Sequence, residues 1–185
     1  MKPSQFLVFI ALLILLSTSL GACTAAPQMP VQLATFTENY VQVSISLEQP
    51  LEGNYVISAT FTPPEGYHLY SKEIPVHGIN GIGRPTLLEL ATESQLKALG
   101  SLTENVPAEG FFFEHREFQV YPLGAVILSL PIELPRGRRW VNDELKVTYM
   151  ACSSNLCKPP VEGKTVSVRV PGVGLVDNES TGNQK

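Results

Sequence analysis

The chain has 185 residues, of which 13 are Lys or Arg and 17 are Asp or Glu, and its formal net charge is −4. It has no long basic run, and the short basic cluster Arg136–Arg139 follows Pro135 as in a solvated turn, so the composition argues against a nucleic-acid partner. Its 15 prolines and 14 glycines are spread along the chain, which is typical of short strands joined by turns rather than of disorder.

The first 22 residues have the order of a secretion signal. Lys2 precedes an apolar run from Phe6 to Leu16, and small and polar residues follow. The run is 11 residues long, whereas a membrane-spanning helix needs about 20. The pattern therefore predicts a signal peptide over residues 1–22 and export from the cytoplasm. The alternative is an uncleaved membrane anchor.

The junction after this run carries a second motif. Residues Leu20-Gly-Ala-Cys23 resemble the lipobox of bacterial lipoproteins, in which the cysteine thiol is lipidated and becomes the mature N-terminus. We therefore expect Cys23 to anchor the protein to a bacterial membrane, and residues 23–34 to form a tether. The alternative is an ordinary secreted protein that carries a cysteine near its cleavage site.

Most of the remaining chain alternates apolar and polar residues, as half-buried strands do. In the first such segment Val41, Val43, Ile45 and Leu47 fall on one face. Turn residues separate further predicted strands at Tyr55–Phe61, His68–Tyr70, Thr86–Leu90, Glu117–Tyr121, Ala125–Ile132, Glu144–Tyr149 and Thr165–Val170.

This pattern predicts an all-β fold. We expect an immunoglobulin-like β-sandwich over residues 35–172, with a barrel as the alternative. A short helix or turn insert is predicted at Thr92–Leu99, ended by Gly100. Residues 173–185 are predicted to form a mobile tail.

Two cysteines remain when Cys23 is assigned to the anchor. Cys152 and Cys157 lie in a loop between two predicted strands, and outside the cytoplasm such a pair is usually oxidised. Closing a loop of about six residues contributes only about 2 kcal/mol in the chain-entropy model, which favours a redox role. Pro159-Pro160 also stiffens the exit from the loop. A purely structural bridge stays open at this point.

Two motifs together resemble a known family. The stretch Tyr149–Pro160, reading YMACSSNLCKPP, looks like the active-site hairpin of the N-terminal domain of the bacterial thiol:disulfide interchange protein DsbD. That hairpin has a tyrosine, a cysteine, a short polar loop, a second cysteine and Pro-Pro. Pro63–Lys72 resembles the family's Gly-aromatic-X-Leu/Ile-Tyr segment. The resemblance covers residues 35–171.

The resemblance implies an immunoglobulin-like sandwich whose dithiol passes electrons on outside the cytoplasmic membrane. It assigns the mixed disulfide with a partner to Cys157 and its resolution to Cys152. The residues expected to line this site are Tyr67, His68, Tyr70 and Tyr149. The alternative for Tyr67 and Tyr70 is core or surface packing in a strand. The alternative for His68 is an ordinary surface position in a strand.

Two departures from the family pattern matter. The family covers its disulfide with a cap loop that carries an acidic residue and an aromatic one. Here the corresponding region, Gly110–Phe118, is predicted to be shorter, and Phe113, Glu114 or His115 are the candidates for that role. The full transporter also continues into a membrane segment and a thioredoxin-like domain, and we expect neither in this chain. We therefore expect a separate membrane reductase as electron donor and thioredoxin-like proteins as acceptors.

A metal site is the remaining chemical alternative. His68, His77 and His115, with Met150 and the cysteines, are residue types that bind copper or zinc. Their spacing does not match a metal-binding motif, and no nucleophile elbow, phosphate loop or paired-carboxylate signature is present. We predict neither a metal nor another cofactor.

Overall fold

The computed structural model describes residues 27–50, 54–113 and 115–176. The predicted signal peptide, Cys23 and the last nine residues lie outside the described residues. Within the described ranges the chain forms strands and one four-residue helix. These elements are β1 (Val31–Glu38), β2 (Val41–Glu48), β3 (Tyr55–Thr62), β4 (His68–Leu69), β5 (Leu87–Leu90), β6 (Lys97–Ala98), β7 (Thr103–Glu104), β8 (Glu109–Phe113), β9 (Arg116–Val120), β10 (Val126–Glu133), β11 (Trp140–Tyr149), β12 (Ala151–Cys152), β13 (Val161–Pro171) and α1 (Val173–Val176). No helix among the described residues is long and apolar enough to cross a membrane.

The larger sheet is antiparallel and has the strand order β1-β2-β3-β10. Both β6 and β7 pair with the free edge of β10. On β2, Val41, Val43, Ile45 and Leu47 are fully buried while the residues between them are not. The single apolar face predicted for this segment is therefore confirmed.

A second antiparallel sheet, in the order β13-β11-β5, covers the other side of the core. Leu145 and Val147 of β11 are fully buried in the same cluster as the apolar face of β2. The rings of Phe61 on β3 and Tyr149 on β11 meet edge to face, with centroids 5.6 Å apart. Two separate sheets around one core make an immunoglobulin-like sandwich, so the predicted fold class is confirmed in place of a barrel.

Two short strand pairs, β4–β12 and β8–β9, form a smaller layer beside the sandwich. Backbone hydrogen bonds join them. The N–H of Tyr121 donates to the carbonyl of Leu69 at 2.8 Å, and the N–H of Ser71 donates to the carbonyl of Gln119 at 2.8 Å. This layer matters for function because β12 contains Cys152.

The insert at residues 92–99 is a turn followed by β6, so the helix alternative was wrong there. Side-chain oxygens accept hydrogen bonds from two N–H groups of this turn. The N–H of Gln95 donates to Asp143 Oδ2 at 2.9 Å, and the N–H of Leu96 donates to Ser94 Oγ at 3.1 Å. Serine favours such local bonds over helix interiors, whereas the carboxylate of Asp143 comes from a residue 48 positions away in the chain.

The folded part extends past both sequence-based boundaries. Strand β1 begins at Val31, within the range given to the tether. At the other end, residues 173–176 form α1 rather than mobile chain, and Val176 is buried. The N–H of Val173 donates to the carbonyl of Pro135 at 2.9 Å, which fastens this segment to the turn before β11.

Candidate functional site

The two cysteines are joined in a disulfide, with their Cα atoms 4.0 Å apart. The loop between them is held as a tight hairpin by its own backbone. The N–H of Ser153 donates to the carbonyl of Leu156 at 2.8 Å, and the N–H of Lys158 donates to the carbonyl of Ala151 at 2.8 Å. The loop therefore presents the disulfide in a defined orientation at the end of β12.

The two cysteines differ in their exposure to solvent. Cys152 is 1% exposed and packs with Tyr70, Phe118 and Val120 in a small cluster separate from the main core. Cys157 is exposed, and the preceding Leu156 is 56% exposed. Because a thiolate must reach the sulfur that it attacks, Cys157 is the member of this pair that is open to a sulfur of another protein.

Tyr70 contacts the buried sulfur directly. Its hydroxyl donates a hydrogen bond to Cys152 Sγ at 3.2 Å. Its ring lies edge to face against Phe118, with centroids 5.8 Å apart, and against Gly83, where an added Cβ would come within 3.0 Å of the ring. Burial raises the pKa of Tyr70, so the hydroxyl keeps its proton and remains a donor.

His68 lies beside Cys152, since the two residues are opposite partners in the β4–β12 pair. Its ring centroid is 5.5 Å from that of Tyr70 and 5.0 Å from that of Phe111. The residue is 7% exposed, so the alternative of a surface histidine was wrong. Burial lowers the pKa of the imidazole, which favours its neutral form. Its Nε2 has no hydrogen-bond partner in the described part of the chain.

A cavity of about 70 Å³ opens beside the disulfide. The cysteines and the loop of residues 153–156 form one side of it, and His68, Tyr70, Ile82 and Phe111 form the rest. Two of the four tyrosine and histidine positions expected to line the site, His68 and Tyr70, thus lie together at the dithiol.

The aromatic residue from the cap region is Phe111, which was not among the sequence-based candidates. It projects from β8 into the cavity, whereas its neighbour Phe112 is 73% exposed. Phe113 ends β8, and Glu114 lies outside the described residues. His115 is exposed at the turn into β9. The alternation within β8 would have separated Phe111 from Phe112, had the strand been recognised.

The other two expected tyrosines lie outside the cavity. Tyr149 is fully buried in the main core, and its hydroxyl donates to the carbonyl of Glu38 at 3.2 Å. Tyr67 packs on the edge of that core. Its ring centroid is 5.0 Å from the ammonium of Lys158, which also lies 4.1 Å from the ring centroid of Tyr40. Tyr67 therefore supports the residue that follows Cys157 rather than the sulfur itself.

The other candidate sites have fewer groups suited to catalysis or metal binding. His77 and His115 are exposed, and no group of three or more His, Cys, Asp or Glu residues in the described ranges is placed to hold a metal. A larger groove of about 680 Å³ lies along β11 and β13. Its buried carboxylate, Asp143, already accepts hydrogen bonds from the N–H groups of Gln95 and Glu144.

Comparison with known proteins gives the family of the domain. A family model described as "Thiol:disulfide interchange protein DsbD, N-terminal" matches residues 36–168. The chain is similar to the N-terminal domain of DsbD from Neisseria meningitidis in its reduced form, with 18% identity and a TM-score of 0.44 over 72% of this chain and 86% of that one. It is also similar to the N-terminal periplasmic domain of ScsB from Proteus mirabilis, with 12% identity and a TM-score of 0.49. That match covers 77% of this chain and 51% of the other, about half its length. No curated protein matches the chain.

Proposed function

Because this chain belongs to the family of the N-terminal domain of the thiol:disulfide interchange protein DsbD, we propose that its cysteine pair relays electrons outside the cytoplasm. The domain accepts electrons from a membrane thiol reductase and reduces thioredoxin-like proteins. Cys157 exchanges disulfides with both, and Cys152 closes the internal disulfide.

The observation that carries this proposal is the unequal exposure of the two cysteines. Cys157 is exposed, whereas Cys152 is 1% exposed and hydrogen-bonded to the Tyr70 hydroxyl. A relay through a mixed disulfide needs one sulfur that a partner reaches and a second sulfur that only the first one reaches. A bridge that only stapled the chain would have no use for this difference.

The proposed exchange runs in two steps. In the reduced domain, the Cys157 thiolate attacks a disulfide of the partner, one partner sulfur leaves as a thiolate, and a mixed disulfide forms. Cys152 then attacks Cys157 Sγ, and the second partner sulfur leaves. The partner gains two electrons and the domain becomes the disulfide seen here. Attack by the reductase on Cys157 reverses the sequence and displaces Cys152 as a thiolate, to which the Tyr70 hydroxyl donates.

The anchor is part of the same proposal. Lipidation of Cys23 would hold the domain at the membrane that contains its electron donor, and more than one acyl chain is needed for stable attachment. Cys23→Ser should release the exported protein from the membrane fraction, and mass spectrometry of the mature N-terminus should show acyl chains only when the cysteine is present. An unacylated wild-type N-terminus would remove the anchor from the proposal and leave the relay standing.

Trapping tests the order of the cysteines. Cys152→Ser should accumulate a mixed disulfide between Cys157 and a thioredoxin-like protein, because the resolving sulfur is gone. The matched variant Cys157→Ser keeps only the buried cysteine of the pair, Cys152, and should trap nothing. Equal trapping by both variants would overturn the assignment of roles.

The reduction potential separates a relay from a staple. A structural disulfide lies below about −300 mV, whereas exchange-active pairs lie higher. We expect this pair to equilibrate with a thioredoxin-like redox buffer. A disulfide that stays oxidised in that buffer, in a protein that traps no partner, would identify a non-catalytic binding domain with a structural bridge.

A further inference from the structure

The unpaired nitrogen of His68 is the feature at the dithiol that the exchange described above does not use. Its Nε2 is buried and has no hydrogen-bond partner among the described residues. Leaving a buried polar atom unpaired is destabilising, and native structures do so rarely. The side chain is 7% exposed and lines the cavity at the disulfide. Its position suggests a partner that is present in only one redox state.

Cys152 needs such a partner when the disulfide opens. Its side chain is 1% exposed and surrounded by Tyr70, Phe118 and Val120. Apolar burial raises the pKa of a thiol, yet only the thiolate attacks a disulfide. The sulfur is shielded from bulk solvent, so a proton acceptor that lines the cavity would speed its attack.

The cavity offers few groups that accept a proton. Its titratable residues, apart from the imidazole, are Tyr70, Cys152 and Cys157. The Tyr70 hydroxyl is protonated and already donates to Cys152 Sγ. From β8 comes only Phe111, and the loop of residues 153–156 brings no charged side chain. Among the described lining residues, His68 is therefore the base available to the buried thiol.

We propose that His68 is the acid–base group of the resolving step: its Nε2 accepts the Cys152 proton as Cys152 attacks the mixed disulfide. The inference rests on the proposed relay function and adds the residue that moves its proton. The bond between Cys152 and Cys157 forms, the bond between Cys157 and the partner sulfur breaks, and the electron pair leaves with the partner thiolate. The imidazolium then gives its proton to that thiolate or to water. In the opposite direction, His68 returns a proton to the displaced Cys152.

The protonation state of His68 agrees with this role. Burial lowers the pKa of the imidazole, so at neutral pH it is uncharged and one ring nitrogen has a free lone pair. The cross-strand pairing of His68 with Cys152 places that residue beside the sulfur, and both residues line the same cavity. A histidine next to a cysteine is a recurring way to activate a thiol.

One assay measures the attack by Cys157 and the attack by Cys152 as two separate phases. The reduced full chain, in a Cys23→Ser background, is mixed with the aromatic disulfide 5,5′-dithiobis(2-nitrobenzoate). Attack by Cys157 releases the first coloured thiolate, and attack by Cys152 on the resulting mixed disulfide releases the second. In His68→Gln we expect the first phase to keep its rate and the second to slow by about 100-fold, the usual contribution of a general base. The exposed His77→Gln is the control and should change neither phase.

The pH profile gives a readout that a purely structural role would not move. In the Cys23→Ser background with His68 intact, the second phase should slow as the pH falls through a pKa below the ordinary histidine value, because a protonated imidazole accepts no proton. This measurement needs no substitution at the site. A second phase that follows a thiol pKa alone, or an unchanged second phase in folded His68→Gln, would overturn the inference. Failure of the relay itself is read from other measurements: the disulfide would stay oxidised in the thioredoxin-like redox buffer and Cys152→Ser would trap no partner, whatever the rates of the two phases.

Discussion

The hydroxyl of Tyr70 offers a direct test of how the fold controls the buried sulfur. Tyr70→Phe removes the hydrogen bond to Cys152 Sγ, which is 3.2 Å long. It keeps the ring and its edge-to-face contact with Phe118. The substitution therefore isolates the effect of one donor on one thiol.

The expected shift follows from the strength of that bond. A hydrogen bond to a charged group contributes about 1.5–3 kcal/mol, and one pKa unit corresponds to about 1.4 kcal/mol. Loss of the donor should therefore raise the pKa of the Cys152 thiol by about one to two units. The sign is positive because the hydroxyl stabilises the thiolate far more than the thiol. As a poorer leaving group, Cys152 should also be displaced from the disulfide more slowly.

The thiol is titrated by nuclear magnetic resonance in a Cys157→Ser background, with isotope-labelled cysteine, so that the measurement needs no access to the buried sulfur. Tyr149→Phe is the matched control. It also removes a buried tyrosine hydroxyl, one that donates to the carbonyl of Glu38 at 3.2 Å, but it leaves the cavity untouched. A Cys152 pKa that is the same in Tyr70→Phe and in the control would refute a role for the hydroxyl in stabilising the thiolate.

Two further predictions concern stability. Reducing the disulfide should lower the free energy of unfolding by only about 2 kcal/mol, because it opens a short loop; urea titration of both forms checks this, and a reduced domain that unfolds would favour the structural bridge. Gly83→Ala should destabilise the domain by about 1–3 kcal/mol, because φ at this position is +81° and the new Cβ would come within 3.0 Å of the Tyr70 ring. An unchanged urea midpoint for this variant would contradict both the backbone strain and the packing against the Tyr70 ring.

Long strands were predictable because their periodicity is local. The face of β2 formed by Val41, Val43, Ile45 and Leu47 follows from alternation alone. The two-residue strands β6 and β7 are too short to carry a period, and they form only because β10 offers them an edge. The turn at residues 92–95 depends on the carboxylate of Asp143, which is distant in sequence.

The same difference between local patterns and contacts of distant segments applies to the site. The cysteines and Tyr70 were predictable because they belong to short motifs that resemble a family. The position of Phe111 depends on the β8–β9 hairpin, which the sequence pattern did not reveal. The burial of His68 and Cys152 follows from the pairing of β4 with β12, a contact between segments that are far apart in the chain.

The rigid hairpin has a consequence for how long a complex lasts. With their Cα atoms only 4.0 Å apart, the two sulfurs meet at an effective concentration that no free thiol in solution reaches. Under the proposed mechanism, any adduct on Cys157 is exposed at once to an internal competitor for the same sulfur atom. Attack by Cys152 therefore releases each partner, and the lifetime of a mixed disulfide is set by the rate of this attack rather than by the affinity of the domain for the partner.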